Sequence, residues 1–310
     1  MDSIVRNIDA TTGGAGYSSG QYAQSLEEFG TVRQLPDCGG WLLESQIPGS
    51  ESFDGMGCYP LFCCEDWSAL GNDLESLADD LVSVRIVTDP FANVGISQLK
   101  AAFPDVCHEF KQHFVTDLTQ PLESVVASHH RRNVRKALGA LTVRQSGDTE
   151  DSLSTWLGLY DNLVRRHEIR GIARFSPLSF DRQMNAPGFT AFSAFDGDET
   201  CGMTLWYVSG DVVYYHLAAY NDRGYELGAS FALFWSALSH FRETGIRWAA
   251  LGAGAGLQSA ESGLTRFKSG WSTHTRPVYF CGRILQPATY AKLATRAAMP
   301  ANFFPAYRAA

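Results

Sequence analysis

The sequence predicts an α/β fold built as two lobes, each a mixed sheet flanked by helices. Three observations carry that prediction. From about Leu122 onward the inferred elements alternate as α, β, α, α, β, β, β, α, β, α, β, and a smaller α/β set precedes them. Thr200–Val208 and Asp211–Tyr220 read as a hairpin across Ser209-Gly210, followed by a glycine-bearing loop and a helix that is apolar on most of its surface to Phe241. The chain has 310 residues, of which 45% are hydrophobic and 19% charged, enough apolar material for one large core or two modest ones. The lobes divide near Leu118–Leu122, giving residues 1–120 and 121–310, with Gly-, Ser- and Thr-rich residues 1–20 loose.

The elements follow in order. Gly40–Glu44 and Tyr59–Cys64 read as short strands. Asp66 caps a helix whose apolar residues Trp67, Leu70, Leu74, Leu77 and Leu81 recur at steps of three and four. Leu81–Val87 is a strand ending at Asp89-Pro90, and Phe110–Leu118 is a weaker one. Pro121 opens a helix that runs to about Leu138, and Leu141–Gln145 is a strand. Asp151 or Ser152 caps a long helix, and Ser176-Pro177 starts another with proline in the first turn, where its missing N–H costs nothing. Phe189–Phe195 is a strand. After the hairpin, Ile246–Leu251 is a strand leading into a glycine-rich loop, Val278–Phe280 is a strand, and Pro287–Ala297 is a helix that packs back on the first lobe.

Composition excludes several classes. No apolar run is long enough to cross a membrane and Met1–Gly13 has no signal-peptide pattern, so a cytoplasmic protein is expected. The seven cysteines show no metal-like spacing and are expected to be core residues. The net charge is −8, and Gln34–Val84 holds ten acidic residues with no Lys or Arg. No broad basic face announces a nucleic-acid binder. The local exception is His129–Lys136, where Arg131, Arg132 and Arg135 on a helix are candidates for phosphate contact, against a solvated face as the plain alternative.

Short motifs were weighed by their context. Gly16-Tyr17-Ser18-Ser19-Gly20 matches a nucleophile elbow but lacks the apolar strand that elbow needs. His108 and His113 are one residue too far apart for a helical zinc pair. Gly252-Ala253-Gly254-Ala255-Gly256 follows a strand, but a polar segment stands where a dinucleotide site needs a helix. Lys268 follows this loop, at the end of a sheet where α/β proteins place ligands, and a cation there suits the oxyanion of an acyl-transfer intermediate. Tyr215 and His216 lie on the strand entering the Asn221–Gly228 loop. Alternation sends one to the substrate and the other to the core, and His216 is a candidate acceptor of an amine proton, with a satisfied core histidine as the alternative.

The stretch Arg223-Gly224-Tyr225-Glu226-Leu227-Gly228-Ala229 resembles the pyrophosphate loop of GCN5-related acetyltransferases, with Glu226 where that loop has glycine. A wider set resembles the Fem-type aminoacyltransferases, which are built from acetyltransferase-like lobes. It comprises Arg131–Ala137, Tyr160–Gly171, Asp211–Ala219, Gly224–Ala229, Leu251–Gly256 and Leu264-Thr265-Arg266-Phe267-Lys268. The resemblance implies two such lobes and transfer of an amino acid from aminoacyl-tRNA to an amine of a peptide, cell-wall or natural-product precursor. It implies no cofactor beyond the aminoacyl-tRNA co-substrate. Lys268, after Phe267, takes the position held to stabilise the tetrahedral intermediate, with amides around Gly224–Gly228 assisting. Arg223, Gly224, Tyr225, Gly228, Tyr215, Phe267 and the arginine cluster are then expected to bind substrate. Two alternatives stand beside this reading: an acyl-coenzyme A-dependent N-acyltransferase, against which the carboxylate of Glu226 argues, and a non-catalytic ligand-binding protein of the same fold.

Overall fold

The computed structural model describes residues 14–146, 149–254, 262–295 and 303–308. Expectations for Met1–Gly13, Ala255-Gly256 and the end of the final helix lie outside those residues.

Eleven strands form one continuous mixed sheet. They are β1 (Thr31–Leu35), β2 (Gly40–Gln46), β3 (Phe53–Gly57), β4 (Leu81–Val87), β5 (Val106–Asp117), β6 (Thr142–Gln145), β7 (Phe189–Asp196), β8 (Glu199–Ser209), β9 (Val212–Tyr220), β10 (Trp248–Gly252) and β11 (His274–Ile284). Their spatial order is β1-β2-β3-β4-β11-β5-β10-β9-β8-β7-β6. The mixed sheets expected from sequence are thus joined, through β11 between β4 and β5, into a single one. Only β3–β4 and β9–β10 pair in parallel; the other neighbours are antiparallel.

Alternation along the strands feeds two cores in the second half of the chain. Leu205, Tyr207 and Tyr214 face the helices Thr149–His167 and Pro177–Met184 through Trp156, Tyr160 and Phe180. Trp206 and Val213 face the helices Ser128–Leu138 and Ala229–Glu243 through Val134, Phe234 and Phe241. The Ala229–Glu243 helix is buried on most of its surface, as its sequence predicts. In the first half, Trp67, Leu70, Leu74, Leu77 and Leu81 share one core, so the predicted apolar face is right. The helix itself is shorter, Leu70–Ser76, because Asp66 Oδ1 accepts from Ser68 N and forms a turn ahead of it. The acidic surplus of Gln34–Val84 is partly answered by cations outside that stretch. Asp54, 1% exposed, takes Arg308 at 2.7 Å and Arg85 at 3.4 Å.

Three further expectations are corrected. Tyr59–Cys64 is not a strand: Pro60 cannot donate to a ladder, and the segment makes a single bridge, Phe62 to Thr88. Its place in the sheet is taken by β3. Residues 14–20 are not loose. Gly16–Ser18 and Gly20–Gln24 are helical turns, with Tyr17 and Ser19 buried and the Ser19 side chain capping Tyr22 N. The helix from Pro121 breaks at Val126-Ala127, where extended backbone separates Leu122–Val125 from Ser128–Leu138.

Candidate active site

The site begins where two parallel strands part. β10 and β9 are paired at Trp248–Val212, Ala249–Val213 and Ala250–Tyr214, after which β9 runs on to Tyr220 and β10 ends at Gly252. A cleft of about 380 Å³ opens at that point. It lies at the carboxyl end of β10, the position where open α/β sheets leave room for ligands.

Irregularities in three strands converge on the cleft. On β9, Leu205 opposes Leu217 and Trp206 opposes Tyr215, which leaves His216 as an extra, bulged residue. On β5, Val278 opposes Lys111 and Tyr279 opposes Glu109, leaving Phe110 extra. On β10, Leu251 is skipped between Ala250 and Gly252. A bulge lets consecutive side chains reach one space. Tyr215 with His216, and Phe110 with Lys111, accordingly line the same cleft. This corrects the expectation that alternation forbids Tyr215 and His216 from sharing it.

Lys268 stands in the cleft wall, not on a loop. It belongs to the helix Gly263–Ser269, started by Ser262, whose hydroxyl accepts from Thr265 N. The side chain is 6% exposed, yet its Nζ donates to Ala253 O at 2.8 Å and lies 5.4 Å from the Tyr215 ring centroid. Gly252 makes room for it. That residue has φ +75°, and a Cβ there would stand 3.1 Å from Lys268 Nζ. Burial, with the charge of Lys111 adding to it, pulls the Lys268 ammonium down to about 7. Phe267 does not line the cleft. It packs among Phe231, Phe234 and Trp271, and its carbonyl lies 2.9 Å from His130 Nε2, which anchors the helix that carries Lys268.

His216 lines the cleft with both ring nitrogens engaged. Nε2 lies 3.0 Å from Gln183 Oε1, and Gln183 Nε2 donates to Ser179 Oγ. The ring proton is therefore assigned to Nε2, and Nδ1 accepts from the Tyr17 hydroxyl at 2.9 Å. Burial lowers this imidazole to about 3. His216 is thus a neutral, satisfied histidine, and its candidacy as proton acceptor meets a nitrogen already in use.

The loop expected at Asn221–Gly228 is a helical turn, Asp222–Leu227, capped by Asn221 Oδ1 on Gly224 N and closed by Gly228 in the left-handed conformation. Tyr225 N and Gly228 N are spent on Asn221 O and Tyr225 O, and Gly224 N on Asn221 Oδ1, so these three amides do not face outward. Arg223 is held by Asp196 at 2.7 Å and Glu226 at 3.3 Å. Tyr225 stacks under Arg166, 4.1 Å from the ring centroid. Arg131 and Arg135 lie elsewhere again, in a groove of about 410 Å³ with Val134, Leu138 and Trp235, while Arg132 is exposed on the same helix. Among the described residues, none of the three joins an ion pair.

Sequence reading missed Tyr17, Lys111 and His113. All three line the cleft. Tyr17 belonged to a segment read as loose, and the other two to a strand with weak alternation. His108 and His113 do not act together: His108 packs on Phe280, and among the described residues no group of three His, Cys, Asp or Glu is set to hold a metal ion. All seven cysteines are free thiols.

Residues 127–269 match the family model described as Acetyltransferase (GNAT) domain. No curated protein matches the chain by sequence. Among solved structures, FemX is 15% identical, with a TM-score of 0.64 over 88% of this chain and 93% of that one. The C-terminal domain of an Agrobacterium fabrum protein described as a lysylphosphatidylglycerol synthetase is 16% identical, with a TM-score of 0.62 over 89% and 90%. L-PGS from Bacillus licheniformis is 12% identical, with a TM-score of 0.56 over 88% and 95%. Identities this low establish a shared fold, the one the Fem-type resemblance implied. No helix among the described residues is long and apolar enough to cross a membrane.

Proposed function

We propose that the cleft transfers an aminoacyl group from aminoacyl-tRNA to an amine, forming an amide, and that the chain works as two lobes, 1–120 and 121–310, in the cytoplasm. The observation that carries this reading is Lys268, buried in the cleft wall with its Nζ fixed by Ala253 O. In its ammonium form it keeps N–H groups for a ligand. An amine attacks the ester carbonyl, the tetrahedral oxyanion accepts from Lys268, and collapse expels the ribose oxygen, which takes the amine's proton. An aminoacyl ester is activated enough that positioning and oxyanion stabilisation supply most of the catalysis. Arg131, Arg132 and Arg135 are proposed to hold phosphates, and replacing all three by Ala is expected to weaken tRNA binding most at low salt.

Transfer from acyl-coenzyme A is the second reading, favoured by the acetyltransferase domain match. Against it, the Asp222–Leu227 turn uses its amides internally and carries Glu226 where a pyrophosphate would need donors. The two readings separate in a radiolabel assay with tRNA charged by each labelled amino acid, or with labelled acetyl-coenzyme A, plus small-molecule extract. Label passing from tRNA into a base-stable product supports the first reading. Label passing only from acetyl-coenzyme A replaces it with the second.

A further inference from the structure

Besides His216, three basic side chains meet in the cleft, Lys111, His113 and Lys268, and among the described residues no acid lines it. The remaining walls are largely aromatic and apolar: Tyr17, Tyr59, Phe110, Tyr214 and Tyr215. One carboxylate stands behind that wall. Asp89 Oδ2 accepts from the Tyr214 hydroxyl at 2.9 Å and Oδ1 from Phe91 N at 3.0 Å, and Asp89 itself does not line the cleft.

The individual groups are unusually unsatisfied for so enclosed a place. His113 Nδ1 is buried and has no hydrogen-bond partner. Lys111 makes no ion pair or hydrogen bond among the described residues, and its Nζ rests 5.2 Å from the Phe110 ring centroid. Buried polar atoms left unpaired cost stability, and fixed like charges in one cleft add to that cost. Each group accordingly disfavours its own charge. His113 is lowered to about 3 by burial and by Lys268 and Lys111, and Lys111 is lowered by burial. A bound anion would relieve all of this at once.

We propose that Lys111 and His113 form a subsite for an anionic group, a carboxylate or a phosphate, carried by the acceptor next to its attacking amine. Lys268 then remains for the reacting carbonyl. Lys111 supplies an ammonium, and His113, with its proton on Nδ1, donates a hydrogen bond. Lys111 and His113 are two residues apart in unbroken register, so alternation puts both on one face of β5, and the bulge adds Phe110 to the same wall. The acceptor class this selects is an amino acid, a peptide with a nearby carboxylate, or a phosphate ester, rather than a simple amine. The inference rests on the cleft being the reaction site proposed above.

The test follows the His113 imidazole by ¹⁵N NMR, its signals assigned by their loss in His113→Gln. Inorganic phosphate and acetate are titrated separately at about pH 6.5 and constant ionic strength. A saturable shift of the His113 signals is expected with at least one anion. Lys111→Met should weaken it roughly tenfold or more, Lys111→Arg should preserve it, and the exposed Lys100→Met should leave it unchanged. Response to phosphate alone assigns a phosphate-bearing acceptor, and response to acetate alone a carboxylate. No shift with either anion, or a wild-type affinity retained in both Lys111→Met and Lys111→Gln, overturns the subsite. The radiolabel assay is independent of this result. Transfer from tRNA without anion binding here would sink the subsite and leave the transferase reading standing.

Discussion

Tyr17 and His216 are joined across 199 positions of sequence by one hydrogen bond of 2.9 Å. Tyr17 is 3% exposed and touches the rings of Tyr22, Tyr207 and Tyr214 as well. The bond ties the first described turn of the chain to the bulge that shapes the cleft. Tyr17→Phe removes the only hydroxyl that satisfies His216 Nδ1 and should cost about 1–3 kcal/mol in urea unfolding. Because the two groups share one bond, Tyr17→Phe combined with His216→Phe should cost less than the sum of the single changes. Simple additivity would show that the bond contributes nothing.

Lys268 links the proposed transfer to pH. Its ammonium loses its proton near pH 7 in the folded chain, against 10.5 ordinarily. If the charged form stabilises the oxyanion, the rate of transfer should fall as pH rises through about 7. If the neutral amine acts as a base, the rate should rise there. Lys268→Met should lower turnover by roughly 10²–10³. The same change should stabilise the fold below pH 7, where wild type must bury a charge. That gain should shrink toward pH 10.5, because the unfolded chain binds more protons than the folded one across that interval. Thermal melts of both proteins over this range measure it, and a constant difference would contradict the burial argument.

Acid should unfold the protein through its histidines. His113 and His216 titrate near 3 when folded and near 6.5 ordinarily, so stability should fall as pH drops from about 6.5 toward 3. Asp89 acts in the opposite sense. Burial raises it from 3.8 to about 6, so its contribution is lost as pH rises through that interval. Two imidazoles outweigh one carboxyl, and a net loss on acidification is expected. Urea midpoints at about pH 7, 5 and 4 should decline in wild type and decline less in His113→Gln.

Gly224 is a packing residue. A Cβ on it would lie 2.1 Å from Cys201 O. Gly224→Ala should therefore destabilise by about 1–3 kcal/mol or more, by pushing the Asp222–Leu227 turn off β8. A neutral effect on stability combined with lost substrate binding would restore a ligand role to this glycine.

What the sequence conveys and what it hides follow from the range of the forces involved. The hairpin β8–β9, the buried helix Ala229–Glu243 and the capped helix at Ser176-Pro177 were readable because turn chemistry, apolar periodicity and capping are local. The Asp222–Leu227 turn was mistaken for a loop because its two glycines suggest open backbone. One serves close packing on β8 and the other a left-handed cap. The position of Lys268 was readable from its neighbours. Its partners were not, because Lys111 and His113 reach it only through the neighbouring of β5 and β10, and Tyr215 and His216 share its cleft only through a bulge. The shifts on β5 and β10 depend on strands distant in sequence, and the one at His216 lies inside the β8–β9 hairpin, where no turn residue marks it.

The place of β11 bears on how the molecule is made. Cys281 on β11 lies beside Cys107 on β5, 174 residues upstream. As the chain emerges from the ribosome, β4 and β5 must each wait with an unpaired edge until β6 to β10 have been synthesised and β11 follows. Such edges are templates for pairing with other chains. The nascent protein therefore passes through a long interval in which its centre is open while both flanks can already form. The last of the described strands is the one that closes the sheet from within.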